Sequence, residues 1–108
     1  MAQQKMMGPT TLTVNGFSLN LAKACLQKGD EEIHLTPKEC KLLALLMQNA
    51  GRVVSRKTLM RQVWDTDYLG DTRTLDVHIC WLRRKMEKNP KRPRYIVTRR
   101  GEGYLLNV

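Results

Sequence analysis

Cysteines are few in this sequence, and no two lie close together. Cys25, Cys40 and Cys80 are odd in number and widely spaced, with no CxxC pair and no Cys/His cluster at zinc-ligand spacing. That pattern excludes a disulfide framework and a zinc module. It reads as three unpaired thiols in a reducing compartment. Long apolar runs are also missing. The longest, Leu42–Met47, has six residues, far short of the ~20 that a membrane span needs. No charged segment followed by an apolar one opens the chain, so no secretory signal is read. The expectation is a cytoplasmic protein with no membrane partner. There is no GxGxxG and no phosphate-binding P-loop. Paired carboxylates, a metal-ligand set and a Ser/His/Asp order are equally absent, so neither an enzyme nor a cofactor is expected.

Acidic residues are in deficit. Ten Asp+Glu face nineteen Lys+Arg, a net charge of +9 on 108 residues. The excess is concentrated. Thr72 to Arg100 holds ten basic residues against Asp76 and Glu87 alone, which leaves +8 in that stretch. A basic stripe confined to one part of a small domain points to a polyanionic partner. The length fits one domain, and 42% hydrophobic with 27% charged residues is a globular composition.

Residues 1–9 are polar, Met-rich and closed by Gly-Pro, and read as a linker or a cloning remnant; the domain proper is 10–108. Thr11–Val14 and Phe17–Leu21 alternate in polarity around Asn15-Gly16, a strong hairpin signal. Ala24–Gln27 and Glu32–Leu35 predict a second hairpin across residues 28–31. Thr36-Pro37-Lys38-Glu39 combines an N-cap, Pro at the first helical position and a capping box. The helix it opens buries Cys40, Leu42, Leu43, Leu46 and Met47 and ends at Asn49-Ala50-Gly51. Ser55 caps a second, short helix with Leu59, Met60, Val63 and Trp64 as its apolar positions. A polar loop, 65–71, follows. Asp71 or Thr72 caps a third helix that runs to about Lys88. Tyr95–Thr98 predicts a strand, 99–103 a turn, and Tyr104–Leu106 the return strand.

The third helix has two faces. At about 100° per residue, Leu75, Ile79, Leu82 and Met86 form one apolar stripe. Arg73, Val77, Cys80, Arg84 and Lys88 lie opposite it, with Trp81 on their shoulder. His78 and Arg83 flank the core stripe on either side. An outward face of Arg, Val, Trp and Lys suits a nucleic-acid groove, where Arg pairs with guanine and apolar groups meet thymine methyls. Cations at the rim meet phosphates. A short helix followed by this one is similar to a helix-turn-helix, although 65–71 exceeds the usual turn of about 3–4 residues.

With these elements in place, the chain resembles the winged-helix effector domain of the OmpR/PhoB family of response regulators. The resemblance rests on Leu35-Thr36-Pro37-Lys38-Glu39-Cys40-Lys41-Leu42-Leu43, on Val53-Val54-Ser55-Arg56 with Leu59 and Val63-Trp64, on Arg73–Ile79 with Leu82-Arg83-Arg84-Lys85, and on Arg100-Gly101-Glu102-Gly103-Tyr104. It implies an α+β winged helix-turn-helix with an N-terminal four-stranded antiparallel sheet, three helices and a C-terminal β-hairpin wing. It implies sequence-specific binding of double-stranded DNA in a two-component phosphorelay system. The third helix would enter the major groove and the wing, 98–104, the minor groove. Direct repeats would be bound head-to-tail by a domain that is monomeric off DNA, and loop 65–71 would contact RNA polymerase. Arg73, His78 and the outward positions Val77 and Trp81 match positions that approach bases and phosphates. Thr74, Arg83 and Arg84 match phosphate contacts. Arg56 and Trp64 match backbone clamps, and Thr98, Arg100 and Tyr104 match wing contacts. The receiver domain of such regulators has no room here, so the expectation is an effector excised from one or standing without one.

Some positions keep two readings. Trp81 meets sugar–phosphate or a thymine methyl, or else packs on the sheet or wing; family members often carry polar or basic residues where this chain has Cys80 and Trp81. His78 touches DNA or makes a structural hydrogen bond. Asp76 orients an arginine through a salt bridge. Trp64 is partly core. Tyr104 packs its ring and keeps its hydroxyl free for a phosphate. Gly101 and Gly103 are turn requirements, and His34 is surface. A protein-interaction module on the same fold, without sequence-specific DNA binding, is the alternative function.

Overall fold

The computed structural model describes residues 11–66 and 72–107. The proposed linker 1–9 and most of loop 65–71 lie outside the described residues. Strands β1 (Thr11–Val14), β2 (Phe17–Asn20), β3 (Cys25–Lys28) and β4 (Glu31–His34) form an antiparallel sheet in chain order. Asn15 and Gly16 both take positive φ, 50° and 84°, as a two-residue turn matching strand twist requires. Phe17 and Leu19 are buried on one face of β2. The second hairpin pairs Lys28 with Glu31 across Gly29-Asp30, so its strands are shifted by one residue from the expected Ala24–Gln27 and Glu32–Leu35.

Helix α1 (Pro37–Gln48) starts as its sequence dictates. The Glu39 amide donates to Thr36 Oγ1 at 3.2 Å, and the Thr36 amide donates to Glu39 Oε1 at 2.9 Å. Strand β5 (Val54–Ser55) leads directly into α2 (Arg56–Trp64), whose Ser55 cap accepts from the Thr58 amide at 3.1 Å. Helix α3 (Arg73–Met86) and strands β6 (Ile96–Arg99) and β7 (Gly103–Leu106) complete the domain. One core joins the two layers. Leu42, Leu43 and Leu46 of α1, Leu59 of α2, Leu75, Ile79 and Leu82 of α3, and Phe17, Leu26, Ile96 and Leu106 from the strands are all but inaccessible.

The C-terminal hairpin, β6 paired with β7, is present as expected, and β5 adds a third strand to it in the order β5-β7-β6. Val54 and Ser55 are too short a run to read as a strand, yet they pair with Tyr104 and Gly103. Two expectations need correcting. Gly103 is a strand residue and not a turn residue. A Cβ there would overlap the Val54 carbonyl oxygen and lie 2.9 Å from Ser55 Cα, so glycine is needed for close approach of two backbones. Helix α3 stops at Met86, earlier than expected, where Glu87 turns to extended backbone at φ −85° and ψ 141°.

Candidate nucleic-acid interface

The buried stripe of α3 is the one that periodicity dictates: Leu75, Ile79, Leu82 and Met86. Both flanks of the helix are then gripped by neighbours, and this grip sets which side remains outward.

On the first flank, Asp76 is the hub. Its carboxylate accepts from Arg56 Nη1 at 2.8 Å and Nη2 at 3.0 Å, and from the Tyr104 hydroxyl at 2.6 Å. Arg56 Nη2 also donates to the Thr72 hydroxyl at 2.5 Å and to the Thr72 carbonyl at 3.3 Å. Thr72 therefore occupies the N-cap position without a side-chain capping bond; its hydroxyl serves Arg56, and the other expected cap, Asp71, lies outside the described residues. Burial pushes the Asp76 carboxyl up, but the hydrogen bonds from Arg56 and Tyr104 and the charges of Arg56 and Arg83 outweigh it and hold it below its ordinary value. Its hydrogen bond to Asp76, opposed by burial, raises Arg56. Burial first, then the Asp76 carboxylate, raises Tyr104. The expected salt bridge of Asp76 is present, with Arg56 as the arginine. The expectation for Tyr104 is overturned: its hydroxyl is bonded within the domain and not free.

Arg83 extends the same flank into the wing. Its Nε and Nη2 donate to the Ile96 carbonyl at 3.1 and 2.9 Å, and Nη2 donates to Thr98 Oγ1 at 2.7 Å. The guanidinium carbons of Arg56 and Arg83 lie 5.9 and 5.7 Å from the Tyr104 ring centroid, a cation–π pair. Arg83 and Arg84, alike in expectation, are thus separated. Arg84 is exposed, while Arg83 is half-buried and turned toward β6.

The second flank carries His78 and Lys85. His78 Nδ1 donates to the Thr74 carbonyl at 2.8 Å, which is the structural bond read as one of its two alternatives. Its ring stands 4.9 Å from Trp64 and 4.8 Å from Trp81. Trp64 packs on the core cluster, as expected. Trp81 stands beside His78 and is exposed. Lys85 Nζ donates to the buried Glu39 carboxylate at 2.6 Å and to the His34 carbonyl at 3.1 Å. Glu39 therefore serves both the capping box of α1 and the anchoring of α3.

Between the flanks, Arg73, Val77, Cys80 and Arg84 are exposed, with Thr74 and Trp81 at the edges. Arg99 and Arg100, at the tip of the wing, are exposed as well. Sequence reasoning missed Glu87, the residue that sets the path from α3 to the wing. Its buried carboxylate accepts from the amides of Arg94, Tyr95 and Ile96 at 2.7, 2.9 and 2.8 Å. The only signal was one of two acids in a basic stretch. Among the described residues, no group of three or more His, Cys, Asp or Glu is arranged to hold a metal. No described helix is long and apolar enough to cross a membrane.

A family model described as "Transcriptional regulatory protein, C terminal" matches residues 30–106. The chain is 28% identical to the Klebsiella pneumoniae RstA DNA-binding domain, solved in complex with the RstA box, with a TM-score of 0.81 over 90% of this chain and 96% of that one. The chain belongs to the OmpR/PhoB family of response-regulator DNA-binding domains. A second family structure, the DNA-binding domain of Escherichia coli CpxR, is 34% identical with a TM-score of 0.78, covering 90% of this chain and 95% of that one. The alkaline phosphatase synthesis regulator SphR of Synechococcus elongatus is 44% identical over 98 residues, 91% of this chain. The chain spans 38% of the length of SphR and 30–39% of the relatives compared. Within the family the four-stranded sheet, three helices and C-terminal hairpin are shared, and the domain is one of DNA-binding transcription regulators.

Proposed function

We propose that this domain binds double-stranded DNA sequence-specifically, with α3 in the major groove and the wing, 98–104, in the adjacent minor groove. One observation carries the reading: the exposed side of α3 presents Arg73, Val77, Trp81 and Arg84 together, beside a wing tip carrying Arg99 and Arg100. Cations at the margins suit phosphates, and the mixed centre suits base edges. Thr74 and Arg84 are the phosphate contacts on α3. Arg56 and Trp64 stand behind as backbone clamps, Thr98 and Arg100 are the wing contacts, and Arg83 fixes the wing. The domain acts in the cytoplasm, is monomeric off DNA and pairs head-to-tail on direct repeats. Loop 65–71 is the polymerase-contacting segment, and the domain serves a two-component regulator.

In-vitro selection on random duplexes, at low and near-physiological salt, tests this. A motif enriched at the higher salt, repeated in tandem about one helical turn apart, is the expected result. Binding confined to low salt with no motif would leave only counterion release and would favour a protein-interaction module.

A further inference from the structure

The outward side of α3 carries two large apolar residues: Val77 is 42% and Trp81 41% exposed. They stand four residues apart and so share one face of the helix. Trp81 is mounted and not loose. Its ring lies 4.8 Å from the His78 imidazole at 51°, and His78 lies 4.9 Å from Trp64 at 77°. Trp64 packs on the core, and His78 is pinned through Nδ1 to the Thr74 carbonyl. The indole therefore ends a column of three rings rooted in the core. A side chain held in this way loses little freedom on binding.

The charge around this patch names its partner. Arg73 and Arg84 are exposed on the same side, within a stretch of net charge +8. Such surroundings draw a duplex, and the duplex group that suits an apolar projection in the major groove is the C5-methyl of thymine. Guanine and adenine present hydrogen-bonding edges that call for a bidentate Arg, Asn or Gln. Val has no side-chain donor and an indole has one N–H. A purine edge seated on this patch would be desolvated without partners.

We propose that Val77 and Trp81, the latter held by His78 against Trp64, form a thymine-methyl-reading surface. The domain thus selects duplexes with thymine at the steps facing the middle of α3. This rests on the DNA-binding reading above, and the test separates the two.

The probe is the duplex recovered by site selection, remade with each thymine replaced singly by deoxyuridine, which removes only the methyl group. Wild type should lose about fourfold in affinity at one or two positions, the worth of one buried methyl. Trp81→Ala or Val77→Ala should bind the thymine and uridine duplexes equally there. Trp81→Arg, which supplies a guanine-pairing side chain, should move the selected base from thymine to guanine. A selected motif with no methyl dependence at any position, or with the same dependence in Trp81→Ala and Val77→Ala, overturns the thymine reading and leaves DNA binding standing. Failure to select any motif overturns both. Trp81 is too exposed for its loss to open the core, and circular dichroism on each variant checks that it has folded.

Discussion

The Tyr104 hydroxyl donates to Asp76 Oδ1 at 2.6 Å, joining the wing strand β7 to helix α3 through one carboxylate. Arg56 closes the same carboxylate from α2. Elements α2, α3 and the wing are thereby held at fixed separations by a single acidic side chain in a basic region.

Asp76→Asn makes the domain more positive by one charge, so electrostatics alone predicts tighter binding to every duplex. Loss of the shared carboxylate predicts the reverse for the specific site, by about tenfold, the scale of one charge-assisted hydrogen bond. Titrating specific and random duplexes separates the two, since only random DNA should gain. Arg56 and Asp76 are 34% and 46% exposed, so screening limits the pair's share of stability to about 1 kcal/mol.

The same carboxylate makes stability depend on pH. Its folded value lies below the ordinary ~3.9, so the native state holds fewer protons than the unfolded chain near and below pH 4. The stabilisation is complete above about pH 4 and is lost as pH falls through the lowered folded value. Urea unfolding at about pH 5 and pH 3 should show a steeper loss in wild type than in Asp76→Asn. Parallel losses would mean that the carboxylate contributes nothing.

Glu87→Gln should cost roughly 2–3 kcal/mol. An amide keeps one acceptor oxygen and turns an NH2 toward amides that a carboxylate satisfied at 2.7–2.9 Å. Hydrogen exchange at Arg94, Tyr95 and Ile96 should accelerate most. Uniform acceleration across the domain would show that the three bonds do not act locally.

Gly103→Ala should destabilise by about 3 kcal/mol or more, at the upper end for overpacking, because the clash is with backbone and not with a movable side chain. The strand pair β5–β7 must part. Gly101→Ala, in open space at φ +79°, costs only the strain of that turn, about 1 kcal/mol. Thermal unfolding of the two variants side by side checks the order.

Arg84→Ala should leave stability within about 0.5 kcal/mol, weaken all duplexes alike and reduce the salt slope by about 0.9. Arg83→Ala should instead cost about 1–3 kcal/mol of stability, since the Ile96 carbonyl loses both its donors from this guanidinium. Similar stability losses for the two arginines would contradict the separation seen here.

The sequence was most informative where interactions are local. Thr36 and Glu39 complete their capping box, and Asn15-Gly16 makes its turn, because the partners lie within a few residues. The stripe Leu75, Ile79, Leu82 and Met86 was legible because helical period alone sorts it from Arg73, Val77 and Arg84. Boundaries that depend on distant partners were not. Val54–Ser55 becomes a strand only because Gly103 lets β7 come close, and Tyr104 offers a hydroxyl in the sequence with no sign of its acceptor 28 residues earlier.

What the sequence by itself determined is which residues are helical, which face of α3 is buried and where the positive charge lies. Periodicity, capping chemistry and composition are properties of neighbouring residues and need no fold to be read. Only the tertiary structure decided which polar groups remain outward. Arg83 and Arg84 are adjacent and chemically identical, yet one is turned to the Ile96 carbonyl and the other is exposed. Trp81 is held upright because Trp64, from another helix, backs His78. A side chain's function is set by the partners that folding brings to it, and those partners are distant in sequence.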